Sequence, residues 1–107
     1  MKARESSVQS VERDGAEARV SGRIDFANAA EWLPRGSTLT APSAQPVRVN
    51  LSGLRASDSA ALAVLLAWSA AAQKAGTQLR FDQMPDDLRA LAHLSEVESL
   101  LGIGDAS

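Results

Sequence analysis

The sequence predicts an α/β domain: a small mixed β-sheet, opened by a hairpin and continued by parallel strands, flanked by α-helices. Three observations carry this. Two weakly alternating runs flank Asp14-Gly15, a pair that favours a tight hairpin turn. The stretch from Val47 to Trp68 switches from a strand period to a helix period, with Gly53 and a polar turn between them. Beyond the hairpin, strands and helices alternate, and that order calls for right-handed crossovers between parallel strands.

Taken in order, residues 1–6 form a frayed start. Ser7 to Arg13 makes the first strand, and Ala16 to Val20, leading into Ser21-Gly22-Arg23-Ile24-Asp25, makes the second. Asp25 fits the N-cap of a short helix from Phe26 to Leu33, with Phe26, Ala29, Ala30 and Leu33 on one side. Pro34 and Gly36 disturb it. From Leu33 to Pro46 the chain reads either as one long loop or as a loop holding a helical turn near Ser37 to Ala41. Val47, Val49 and Leu51 then alternate with Arg48 and Asn50, and Gly53 breaks the alternation. A helix runs from Asp58 to Lys74, stopped by Gly76. Gln78 to Phe81 is a short strand. Met84-Pro85-Asp86-Asp87 opens a last main helix, with acids at its positive end and Leu88, Leu91, Ala92 and Leu94 at helical spacing. Ser95 ends it, and Val97, Leu100, Leu101 and Ile103 supply a final apolar segment. The whole of residues 1–107 reads as a single domain.

The long helix is apolar on two sides. Leu62, Leu65, Leu66 and Ser69 share the face expected to pack on the sheet. Ala61, Val64, Trp68 and Ala71 lie nearly opposite, and a ridge of small residues, Ala60, Ala63, Ala67 and Ala70, runs between the two. Little in Phe26 to Leu33 is bulky enough to cover the Trp68 face. Trp68 is therefore expected to stay partly exposed and to meet a partner protein.

Composition narrows the function. A formal net charge of -2 with scattered signs argues against a nucleic-acid surface. The absence of cysteine removes disulfides and Cys-based zinc sites. One histidine, with Asp82, Asp86 and Asp87 lacking ligand spacing, makes no metal site. Ser52-Gly53-Leu54 is a single-glycine turn rather than a phosphate-cradling loop, so no cofactor is expected. Met1 to Ser7 carries charge with no apolar region behind it, unlike a signal peptide, and Ala60 to Ala72 is too short to span a bilayer. A cytoplasmic domain without direct membrane insertion is the expectation.

Asp58-Ser59 is the sharpest chemical feature. Its plainest role is an Asp N-cap followed by a first-turn serine. The same placement holds a hydroxyl beside backbone N–H groups that no helical carbonyl reaches, which suits a polar partner contact or phosphorylation of Ser59. Ser59, Asp58 and His93 nominally supply a hydrolase triad, but no Gly-x-Ser-x-Gly elbow surrounds the serine, so no catalytic residue is assigned.

Leu51-Ser52-Gly53-Leu54 followed by Asp58-Ser59-Ala60-Ala61-Leu62 resembles the STAS domain family, which includes anti-sigma factor antagonists. Gly22-Arg23-Ile24-Asp25 with Trp32 downstream, Asp58 through Leu65-Leu66-Ala67-Trp68, and Leu91-Ala92-His93-Leu94-Ser95 resemble its MlaB branch, the small subunits of the Mla phospholipid-transport ABC system of Gram-negative bacteria. The resemblance runs from about Val8 to Ile103. It implies a non-enzymatic subunit that binds and stabilises or activates an MlaF-like ATPase, peripheral to the inner membrane, in a complex maintaining outer-membrane lipid asymmetry. Ser59 takes the family's Ser/Thr contact position, and Asp58, Ala60, Ala61 and Trp68 complete the implied partner surface. The alternative is an anti-sigma factor antagonist switched by phosphorylation of Ser59. Phosphorylatable antagonists usually carry Gly two residues after the serine, where this chain has Ala61.

Overall fold

A computed structural model describes residues 10–41, 43–56, 59–94 and 96. The expectations for residues 1–6, Asp58, Ser95 and the segment from Val97 to Ile103 lie outside these described residues. Strands β1 (Ser10–Asp14) and β2 (Glu17–Ile24) form the hairpin, followed by helix α1 (Ala29–Trp32) and a 3₁₀ helix (Leu33–Thr40). Strand β3 (Val47–Ala56), helix α2 (Ser59–Lys74), strand β4 (Leu79–Asp82) and helix α3 (Asp86–Leu94) complete the order. The sheet is β1-β2-β3-β4; β1 pairs antiparallel with β2, and the remaining pairs are parallel. The mixed α/β architecture matches the one expected from the sequence.

The sheet has a dry face and a wet one. Ala18, Val20, Ile24, Val47, Val49, Leu51, Leu54, Leu79 and Phe81 point into the core. Between them Arg19, Arg48 and Arg80 point out, as a period of two dictates for a sheet covered on one side. Arg48 reaches Asp82 at 3.2 Å and Glu17 at 3.9 Å on that wet face. Exposed pairs of this kind contribute little to stability.

Gly53 does not end β3, contrary to the expectation. Arg19 pairs with Asn50 and Ser21 with Gly53, so β3 carries one residue more than β2 across this step. This bulge moves the buried position from Leu51 to Leu54 and restores the inward face, while Asn50 Oδ1 accepts the Ser52 N–H at 2.8 Å. A Cβ at Gly53 would stand 2.7 Å from Ser21 Oγ and 3.3 Å from Ser21 Cβ, so a larger residue there would push the Ser21 hydroxyl aside.

The second correction concerns Phe26 to Leu33. The chain after β2 first makes a turn in which Asp25 Oδ1 accepts from the Asn28 N–H (3.1 Å) and Asn28 Oδ1 accepts from the Asp25 N–H (2.9 Å). Asp25 thus caps this turn, and the helix begins later, at Ala29. Trp32 becomes the buried residue, while Phe26 is 74% exposed and Leu33 half-exposed. The Trp32 indole N–H donates to the Arg23 carbonyl at 2.9 Å, which ties α1 to the end of β2.

Trp68 overturns a third expectation: it is 2% exposed. The Leu33–Thr40 segment, read from sequence as loop with at most one turn, is a 3₁₀ helix laid against α2. Its Gly36 faces the Trp68 ring so closely that a Cβ would overlap the indole. The Trp68 N–H donates to the Leu33 carbonyl at 3.1 Å, and the ring lies 6.2 Å from that of Trp32, tilted by 52°. Leu94, expected on the apolar face of α3, is by contrast 77% exposed. Gly36→Ala is expected to destabilise the fold by about 1–3 kcal/mol through overpacking, visible as a lower thermal midpoint.

The far end of the 3₁₀ helix is held by polar groups. Arg13 donates to the carbonyls of Gly15 (2.8 Å), Thr38 (3.2 Å) and Ala41 (2.9 Å), a cation placed where a helix end leaves carbonyls unpaired. The buried Thr77 hydroxyl donates to the same Ala41 carbonyl at 3.0 Å. Thr77 is itself fixed by the end of α2, where Gly76 at φ +86° lets its N–H reach Gln73 and that of Thr77 reach Ala72. Arg13→Ala should cost about 1 kcal/mol, since part of the guanidinium is already solvated. Faster amide exchange in residues 36–41 would register the loosening.

Candidate functional site

The parallel strands deliver the candidate site to one edge. Ile24 and Ala56 stand in register, so β2 and β3 leave the sheet side by side. One continues into the Asp25–Asn28 turn with its exposed Phe26; the other reaches the first residue of α2 after two more residues. Ser59 is that first residue, and its side chain is exposed. The N–H groups of a helix's first turn have no carbonyl partners within the helix, so this corner offers a hydroxyl and donors together.

Behind Ser59 the helix divides inside from outside more sharply than its composition suggests. Ala61, Leu62, Val64, Leu65, Trp68, Ser69 and Ala72 are buried. Both apolar sides are therefore used: the sheet lies beneath, the 3₁₀ helix covers one flank and α3 the other. Ala63, Ala67 and Ala70 remain outside, at the three- and four-residue spacing that puts them on one line with Ser59. Such a ridge, with half-buried Leu66 beside it, allows close approach of another surface.

Of the residues expected to contact a partner, the fold presents Ser59 and takes in three others. Ala60 and Ala61 are buried, so the helix surface next to Ser59 is made by Ala63 instead. Trp68 is packed in the core, as described above. Asp58 lies outside the described residues. His93 sits in the last turn of α3, whereas Ser59 opens α2, so the fold gives the nominal triad no shared loop or helix end. No group of three or more His, Asp or Glu side chains among the described residues could hold a metal ion. No helix among them is long and apolar enough to cross a membrane.

Sequence reasoning missed the exposure of Phe26; it found the ridge of Ala63, Ala67 and Ala70 but began it at Ala60, which the fold buries, rather than at Ser59. The ridge was legible in the alanine spacing, but only the position of the 3₁₀ helix decides which side of α2 faces out.

Comparison with known proteins agrees with this geometry. A family model described as the MlaB STAS domain matches residues 9–102. The fold is similar to that of one chain of the Acinetobacter MlaFEDB complex in its ATP-bound Vtrans2 conformation, with 26% sequence identity and a TM-score of 0.70. The match covers 91% of this chain and 99% of that one. No curated protein matches.

Proposed function

The chain belongs to the MlaB STAS-domain family, and from that premise we propose that it is a non-enzymatic subunit of an Mla-type phospholipid-transport ABC complex. It binds the cytoplasmic, MlaF-like ATPase of that complex, stabilises it and supports its turnover, while the ATPase hydrolyses the nucleotide. The chain is then cytoplasmic and peripheral to the inner membrane through its partner. The observation that carries this reading is the match to a chain of an MlaFEDB complex over nearly the whole length of both chains. The surface that serves it is the exposed corner of Ser59 with the Ala63–Ala67 ridge. Small residues there leave a flat track on which a partner helix can approach closely, and the Ser59 hydroxyl supplies a directional hydrogen bond at its start.

Phosphorylation of Ser59 is the second reading, favoured by the exposure of that side chain. A phosphate would gain from the helix dipole but would stand beside Asp58 in sequence. Titration of the purified ATPase subunit with this chain, with ATP hydrolysis followed in parallel, tests the first reading. Saturable binding with a raised or stabilised hydrolysis rate is expected. Absence of binding, together with phosphorylation of Ser59 by a sigma-factor kinase, would replace it with the second.

A further inference from the structure

Two arginines stand directly opposite one another on the wet face of the sheet. Arg23 of β2 is in register with Arg55 of β3, and both side chains are exposed. Neighbouring parallel strands lie about 4.8 Å apart, and like charges set directly opposite destabilise a sheet. Elsewhere on this face acids stand among the cations: Arg48, itself in register with Arg80, lies against Glu17 and Asp82, and Glu12 stands opposite Arg19. Around Arg23 and Arg55, among the described residues, none does. The next outward row holds Ser10, Ser21 and Gly53. The row with Glu12 and Asp82 lies about 13 Å further down the strands, beyond the screening length of about 8 Å at physiological salt. Asp25, two residues past Arg23, turns its carboxylate to the Asn28 N–H. Among the described residues neither arginine makes an ion pair.

The strand end that carries them is fixed. The Arg23 carbonyl accepts from both the Trp32 indole (2.9 Å) and the Asn28 side-chain amide (2.7 Å). Phe26, three residues on, is 74% exposed, and β3 leads from Arg55 directly towards Ser59. Arginine and an exposed aromatic three residues apart supply the residue types enriched at interfaces. Two isolated cations suit neither a nucleic acid, which needs a continuous basic face, nor an anionic bilayer, which takes clusters of four to eight. They suit carboxylates, which a guanidinium holds through paired hydrogen bonds.

We propose that Arg23 and Arg55, with Phe26 beside them, form a charged arm of the ATPase-binding surface and receive carboxylates from an acidic segment of that ATPase. This rests on the ATPase-binding function proposed above and extends its surface from α2 onto the outer face of the sheet.

Arg23→Ser and Arg55→Ser test it, because neither side chain holds the core. Each variant should melt at or slightly above the wild-type temperature, since a like-charge contact has been removed. Each should bind the purified ATPase subunit about tenfold more weakly, with a shallower dependence on salt. Wild-type binding retained by both variants overturns the proposal and leaves the ATPase-binding function standing. A clear drop in melting temperature overturns it as well, because it would show the arginine held by an acid of its own chain, such as Asp58. Unchanged ATPase affinity with lost binding to phosphatidylglycerol vesicles would assign the pair to lipid instead. Failure of the wild-type chain to bind the ATPase overturns both.

Discussion

Trp68→Ala is expected to destabilise the isolated chain by about 3–5 kcal/mol, a large part of the stability of a domain this size. The ring is almost fully enclosed between α2 and the 3₁₀ helix, and its N–H satisfies the Leu33 carbonyl. Truncation opens a cavity and leaves that acceptor without its donor, so the two losses fall together. The 3₁₀ helix has few other apolar anchors: Leu39 and the glycine surface against the indole are its buried contacts. Chemical denaturation followed by Trp32 fluorescence measures the effect. A variant within 1 kcal/mol of wild type would mean that the ring is not a core element, contradicting its packing against Gly36.

Ser59→Glu should act on binding and spare the fold. The side chain is exposed and an acid is tolerated in a helix's first turn, so the melting temperature should move little. At a desolvated contact the added charge has no partner, and Asp58 next to it in sequence raises the cost. An uncompensated buried charge of this kind costs about 3 kcal/mol or more, which lowers affinity for the ATPase roughly a hundredfold. Ser59→Ala should cost far less, about the worth of one hydrogen bond. Equal affinities for the wild type and the glutamate variant would move the interface away from α2.

The hairpin, the central strand–helix unit and the last main helix were legible because each has both a period and a punctuation mark. Gly15 turns the hairpin, Gly76 stops α2, and Pro85-Asp86-Asp87 opens α3; each structural boundary falls within a few residues of the expected one. The 3₁₀ helix was not legible. At three residues per turn its buried positions are Gly36 and Leu39, one of them without a side chain, set among Pro, Ser and Thr that read as loop. That single omission left Trp68 without a cover and turned a core residue into an apparent interface residue.

Gly53 failed for a related reason. In sequence it looks like the end of a strand, whereas a bulge is visible only once two strands are paired. The candidate site divides in the same way. Ser59 follows from the family resemblance and from the rule that a helix start offers free N–H groups. The burial of Ala60 and Ala61 depends on where α2 is pressed against the sheet. The Arg23–Arg55 juxtaposition depends on a register that passes through the bulge, and no local pattern encodes it.

Purification of the tagged chain from its native host under gentle conditions, with identification of the proteins that come with it, tests the central claim most directly. The account predicts an ABC ATPase in stoichiometric amount, with the permease and substrate-binding subunits of its complex, and loss of all three with Ser59→Glu. Recovery of a sigma-factor kinase, with no ATPase, would contradict it.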